Sequence, residues 1–470
     1  MKKLFLFLAA AGILAAITGC NVQSVYSSNW SDGELTAVTN VMQNAGIPAG
    51  LKHLAVDNRF GAVHITGTTD AGTAWTWKLT VRARTNSIAQ QIAGAVKCDA
   101  KLDGDQLSLT FSLPDSDDSG TISGLMKEPH SIQSDFEITV PKSAAVRVQN
   151  RFGEVAIADL ADNVEAVNQN GRLEIRDIDG NVQARTSFDA LSVSNTGPAT
   201  LQDQNGEIRA VDIGGPLDAH TSFSSLIAQD VRGSATLSNQ NGSIRANTIL
   251  DSLDATTSFD SLVAKDVHGQ ATLRNQNGRI EATDIGGALE ANTSFDSLAA
   301  RGISGPVHLW NQNGDVKAIQ VKGDADINTS FATLSAADIH GDAILKNQNG
   351  EVIVSGVSGS VKASTSFATI DVTGAGSDFV CNNQNGAIRL RATSTTLAKI
   401  EANTSFATLE VHLPAGLKPA IQAHTTFADV DSDFPVWNNP SSPDALAEMA
   451  NASARISLRN QNGKIRVVRD

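Results

Sequence analysis

Across 470 residues the chain carries 36 lysines and arginines against 50 aspartates and glutamates, a formal charge of −14, and only 5% aromatic residues. The charges are dispersed, with no basic block, which removes the electrostatic footprint of a nucleic-acid-binding protein and any attraction of the body to anionic lipid. Gly, Ser, Thr, Asn and Ala dominate the composition, which suits short strands and tight turns better than the core of a large α/β enzyme.

Lys2 and Lys3 precede an apolar run from Leu4 to Ile17, and Thr18-Gly19-Cys20 follows. These are the charged region, the apolar region and the small-residue cleavage site of an export signal. The run is about 14 residues, short of the roughly 20 that a spanning helix needs. Ile17-Thr18-Gly19-Cys20 resembles the lipobox of bacterial lipoproteins. That resemblance implies a signal peptide over 1–19, cleavage before Cys20 and acylation of Cys20, with palmitate among the chains, so that the lipidated cysteine inserts in a bilayer. Asn21, where aspartate would retain a lipoprotein in the inner membrane, favours the outer membrane by the same resemblance. Residues 20–50 read as the lipidated cysteine and a Ser/Asn-rich flexible tether with at most one irregular turn or short helix.

From 51 to 141 the strand patterns lengthen. Ala74–Val81 and Leu107–Leu113 alternate, and Asp103-Gly104-Asp105 is a hairpin signal. This segment reads as an antiparallel cap together with the first coil. A polar loop from Pro114 to about Ser131 separates it from Phe136–Pro141, which leads into a regular array.

The array covers 142–433 and repeats every 36 residues. Asn-Gln-Asn-Gly ends at Gly242, Gly278, Gly314, Gly350 and Gly386, and Thr-Ser-Phe ends at Phe223, Phe259, Phe295, Phe331 and Phe367, 17 residues after Gly206, Gly242, Gly278, Gly314 and Gly350. The unit divides again into two halves that superpose at 18 residues: Ile244, Ala246, Ile249, Leu253 and Ala255 match Leu262, Ala264, Val267, Ala271 and Leu273. Short alternating runs with no sustained helical period predict strands. The fold expected is therefore all-β: an elongated, single-stranded β-solenoid (β-helix) of about 18 residues per coil, built as a 36-residue double-coil repeat with an antiparallel N-terminal cap. Apolar spacings of 2, 3, 4 and 2 do not fit a hexapeptide helix. Inward ladders run through Ile208, Leu226, Ile244 and onward, and through Ala210, Ala228, Ala246 and onward.

The two phrases share one corner. Asn170, Asn205, Asn241, Asn277, Asn313, Asn349, Asn385 and Asn462 are expected to form a structural turn ladder, each capping its own turn, with the next glycine at positive φ. Phe188, Phe223, Phe259, Phe295, Phe331, Phe367, Phe406 and Phe427 are expected to alternate with them as a corner ladder that roofs the core. Asn58-Arg59-Phe60-Gly61 and Asn150-Arg151-Phe152-Gly153 carry both features at once. From 434 to 470 the register is interrupted by a loop with Pro435, Pro440 and Pro443, and a last Asn460-Gln461-Asn462-Gly463 strand closes the stack.

Chemistry is sparse. Asp177, Asp212, Asp230, Asp266, Asp284 and Asp338 recur before a turn, but Thr248, Gly302 and Gln320 break the series, which favours turn capping over Ca²⁺. The histidines, His220, His268, His340 and His424 among them, are too far apart for a metal triad. Cys98 and Cys381 are expected to be buried and unpaired. No catalytic, cofactor-binding or metal site is expected.

The lipobox, the Asn-x-Phe-Gly pair, Ile138-Thr139-Val140-Pro141-Lys142 leading into Val146–Asn150, and the recurrent Gly-x-(Ile/Val)-x-(Ala/Val) with Thr-Ser-Phe together resemble the bacterial putative-adhesin β-strand-repeat family, domain-of-unknown-function family 4097. The resemblance spans about residues 50–470 and implies a cell-envelope β-solenoid without catalytic residues. The function expected is a non-catalytic envelope lipoprotein serving as a structural or adhesin-like interaction scaffold. Its partners would be the bilayer, through Cys20, and an envelope polymer or protein. The alternative is a polysaccharide-active β-helix lyase or hydrolase.

Overall fold

The computed structural model describes residues 21–26, 35, 37–70, 72–113, 126, 128–437 and 451–470. The signal sequence and Cys20 lie outside these residues, as does most of the loops at 114–131 and 435–452. The chain forms two compact units, Met1–Arg232 and Gly233–Asp470. Each is a parallel β-solenoid with coils of about 18 residues: Leu173 pairs with Leu191 in the first and Leu262 with Ile280 in the second.

One coil shows how the sequence sets the winding. Ile244–Ile249 forms a strand on one face and Leu253–Thr257 a strand on the other. Ile244 and Ala246 point inward and are buried. The spacing then widens to Ile249 because Thr248 has φ 55° and drops out of the pairing, which runs from Ile244 to Asn247 and resumes at Ile249. Asp266, at the same rung of the paired strand, has the same conformation, so each strand kinks there and turns toward the next face. The same left-handed conformation occurs at Asp177, Asp212, Asp230, Asp266, Asp284, Gln320 and Asp338, and at Gly302, Gly356 and Gly374. Aspartate and glycine recur there because they tolerate the αL region best.

Packing explains why the repeat is a double coil. On the second face Leu253-x-Ala255 is followed by Ala271-x-Leu273, then Leu289-x-Ala291, then Val307-x-Leu309, all buried. Registered pairing sets Leu253 on Ala271 and Ala255 on Leu273. From Leu253 to Ala291 each large side chain stacks on a small one, and the pattern gives way where Leu289 stacks on Val307.

The N-terminal segment departs from the simple stack. Strand His53–Asp57 lies between Gln106–Ser112 and Ala145–Phe152, and Val63–Thr68 lies between His130–Pro141 and Val155–Leu160. A coil that comes later in sequence therefore sits outside the earlier one. Antiparallel strands continue the sheet outward: Ala74–Ala83 on His130–Pro141, then Ala37–Gly46, then Asn21–Tyr26. The hairpin expected at Asp103-Gly104-Asp105 is present, with Gly104 at φ 60°.

Two features differ from expectation. Residues 37–46, read as tether, form a full strand. Its buried positions are Ala37, Thr39, Gln43 and Ala45, so its alternation carries almost no hydrophobic signal. A helix, Asn86–Ala95, capped by Thr85, buries Ala89, Ile92 and Ala93 against the strands Ala37–Gly46 and Ala74–Ala83. Three buried residues are too few to announce a helical period.

The C-terminal end is also threaded out of order. Strands Ala454–Asn460 and Ile465–Arg469 lie between the coil Lys399–Leu413 and the coil Pro419–Ser432. The last strands in sequence therefore do not close the stack; the coil before them is the outer one.

Candidate functional site: the aromatic corner

At the corner the sequence turns after an inward Thr or Asn. In register, Thr257 stands beside Asn275, so Thr and Asn alternate as the last buried residue of successive coils: Thr257, Asn275, Thr293, Asn311, Thr329, Asn347, Thr365 and Asn383. Both are donors to the coil beneath. Thr257 Oγ1 donates to the Gly242 carbonyl at 2.7 Å and Thr293 Oγ1 to that of Gly278 at 2.9 Å. Asn275 Nδ2 donates to the Asp260 carbonyl at 2.6 Å and Asn347 Nδ2 to that of Ala332 at 2.6 Å. The same amides cap their own turns, since Asn275 Oδ1 accepts from Gly278 N and Asn347 Oδ1 from Gly350 N, both at 3.0 Å.

The cap is thus the first asparagine of Asn-Gln-Asn-Gly. The second, expected to cap its own turn, reaches down instead: Asn277, Asn313, Asn349 and Asn385 donate to the carbonyls of Ser258, Ser294, Ser330 and Ser366 at 3.0, 3.0, 3.3 and 3.2 Å. Asn205 does the same to Ser187 at 2.7 Å, and Asn170 to Arg151 at 3.2 Å. The expected positive φ holds at Gly61, Gly153 and Gly171, whereas in the later coils the glycine of this turn is required for close approach. A Cβ on Gly278 would collide with the Asp260 carbonyl.

The phenylalanines do not roof the core. Phe188, Phe223, Phe259, Phe295, Phe331, Phe367, Phe406 and Phe427 are 58–74% exposed. After the Thr the chain turns through Ser-Phe, or Thr-Phe at Phe427, and in all but that last coil the next inward residue is the Leu or Ile of the following strand. The ring is left outside the bend. Within the second unit the row is kept in step by the C-terminal threading. Sequence order gives Phe406, Phe427 and then Asn460–Gly463. Pairing places Asn460 between Thr404 and Thr425, so Phe and Asn rungs still alternate. At the start of the first unit, Phe60 and Phe152 occupy adjacent rungs and stack with centroids 5.8 Å apart and planes 9° apart.

The other candidate groups among the described residues lie elsewhere. The αL row borders a groove of about 680 Å³ lined by Asp284, Gln320, Lys322, Asp338 and His340. Asp284 and Asp338 are three rungs, roughly 14 Å, apart, wider than the about 5–9.5 Å of glycosidase carboxylate pairs. His220 pairs with Asp218 at 2.6 Å and His268 with Asp266 at 3.5 Å, all on the surface. No group of three or more metal-ligating side chains occurs among the described residues. Cys98 and Cys381 are buried and form no disulfide, and burial pushes the Cys381 thiol up to about 12.

One cluster has no sequence signal. His412 Nδ1 lies 2.9 Å from Asp470 Oδ1, and Arg391 Nη1 lies 2.6 Å from Asp470 Oδ2. It exists only because the last strand is inserted beside Leu409–Leu413, and it pins the end of the chain to its neighbours. Among the described residues, no helix is long and apolar enough to cross a membrane.

No protein-family model matches the chain, and no curated protein matches it. Two crystal structures are similar to it. One is a "putative adhesin" from Bacteroides fragilis, 15% identical over 57% of this chain and 95% of that one, with a TM-score of 0.28. The other is a "putative cell adhesion protein" from Clostridium sporogenes, 10% identical over 38% of this chain and 98% of that one, with a TM-score of 0.22.

Proposed function

We propose that the chain is a non-catalytic, adhesin-like interaction scaffold of the bacterial envelope, lipid-anchored through Cys20 in the outer membrane, with the phenylalanine row as its contact surface. The exposed row carries this reading. Exposed apolar surface of several hundred Å² marks interaction sites, and phenylalanine is among the residues enriched at the core of interfaces. Buried Thr and Asn explain why two kinds of rung alternate. They do not explain a ring in the solvent on every second rung, since a serine there would leave those bonds intact.

The test is capture of the purified chain on immobilised envelope polysaccharide, peptidoglycan and envelope protein, beside the variant Phe295→Ser/Phe331→Ser/Phe367→Ser. Specific capture at micromolar concentration, weakened at least tenfold in the variant, is the expected result. Equal capture of both proteins would remove the row from the function. For the anchor, Cys20→Ser is expected to abolish incorporation of a palmitate analogue and to release the chain from the membrane fraction; retention of label would exclude Cys20 as the site.

A further inference from the structure

We propose that the partner of the phenylalanine row in the second unit is the same row of a second copy of this chain, the rings of each copy filling the gaps of the other. The inference rests on the row being an interaction surface and names what binds it. Successive rings, Phe259, Phe295, Phe331, Phe367, Phe406 and Phe427, stand two rungs apart, roughly 9.6 Å. A ring placed midway lies about 4.8 Å from each neighbour, inside the range favoured by aromatic pairs. The chain already makes this contact with itself, because Phe60 and Phe152, one rung apart, are stacked at 5.8 Å.

The gaps are open. At four of the five intervening rungs the equivalent residue is Asn277, Asn313, Asn349 or Asn385, whose amide is folded back onto the serine carbonyl below; the fifth holds Asn462. The area is also sufficient. Six rings, 58–74% exposed, offer about 120 Å² apiece and about 700 Å² together, close to the roughly 800 Å² per partner of a standard interface.

Charge selects the direction. Asp260 and Asp296 follow the first two rings, whereas Ala332, Ala368, Ala407 and Ala428 follow the rest. Antiparallel rows set the acidic end of one copy against the alanine end of the other; parallel rows would oppose the aspartates. The antiparallel arrangement is a closed twofold contact. Each copy carries −14, so added salt should strengthen the pairing by screening repulsion.

Sedimentation equilibrium of the full chain tests this on three proteins: the wild type, Phe295→Ser/Phe331→Ser/Phe367→Ser, and Asn313→Phe. The last recreates the Asn-x-Phe-Gly corner of Phe60 and Phe152, plugs a gap from within and adds apolar surface. A dimeric wild type that tightens with salt, a monomeric triple variant of unchanged Tm, and at least tenfold weaker pairing in Asn313→Phe are the expected results. A monomeric wild type would overturn the pairing; if that monomer is still captured by an envelope polymer through the row, the scaffold reading stands and the partner is the polymer. Pairing in Asn313→Phe as strong as in the wild type would reduce the row to an unspecific sticky surface. If Asn313→Phe does not fold, the triple variant decides: dimerisation unaffected by loss of three rings overturns the proposal.

Discussion

Asp203 occupies a position that later coils give to asparagine. Its Oδ1 accepts from Gly206 N at 3.0 Å and Asn205 N at 3.2 Å, as Asn275 Oδ1 accepts from Gly278 N. Its buried Oδ2 has no partner, whereas Asn275 Nδ2 donates to a carbonyl below. Burial holds the Asp203 carboxyl above the ordinary 3.8, against the lowering effect of the backbone donors. Because the folded value is the higher one, the native state keeps this proton longer than the unfolded state. The associated stability is full below the unfolded value and is lost as pH rises through the folded value. Asp203→Asn restores the donor, and thermal unfolding should show a gain of about 1–3 kcal/mol at neutral pH that shrinks toward pH 4. A gain independent of pH would rule out the carboxyl as its source. The corner offers a second comparison. Asn347→Ala removes a cap and a bond between coils and should cost about 2 kcal/mol. Phe331→Ser, whose ring is in solvent, should stay within about 0.5 kcal/mol. A large loss in Phe331→Ser would mean that the ring serves the fold after all.

At the scale of elements, the two out-of-order coils do the same work at opposite ends of the sequence. An edge coil leaves backbone donors and acceptors unpaired. Here the coil His53–Thr68 and the coil Ala454–Arg469 are enclosed on both sides. The outer C-terminal coil, Pro419–Ser432, finds its ladder partners in Ala454–Arg469. Removing 454–470 should therefore do more than fray the terminus. In hydrogen exchange, residues 419–432 should lose protection and Lys399–Leu413 should become an edge. Protection retained over 419–432 would show that this coil docks without the inserted strands. Near the N-terminus, the strand Ala37–Gly46 illustrates a limit of pattern reading. Its inward side chains are small or polar, so a half-buried strand leaves the same trace as a tether. The helix Asn86–Ala95 escapes detection because it is short and buries a narrow face.

For the whole molecule, local periodicity and non-local pairing had separate roles. Coil length, the inward ladders and the sharing of one corner position by Asn and Phe were legible in the sequence, because a solenoid repeats one environment every 18 residues and each environment selects its residue type. The corner itself was half legible. Which residues share a rung follows from register, but which of them turns inward depends on how the backbone bends after Thr257 or Asn275, where strand alternation no longer applies. The expected roof of phenylalanines thus became an exposed row, and the expected cap moved two residues toward the N-terminus. The interruption at 434–470 reads in sequence as a break in the repeat before a closing strand. The fold shows the opposite: pairing of strand residues 56 apart, as between Leu409 and Ile465, inserts the last Asn-Gln-Asn-Gly coil where it restores the alternation. Sequence by itself determined the solenoid, its coil and its core, since these arise from neighbour-to-neighbour repetition. Only the tertiary structure decided the order of the end coils and the exposure of the rings, since edge pairing and the direction of a turn depend on contacts between segments distant in the chain.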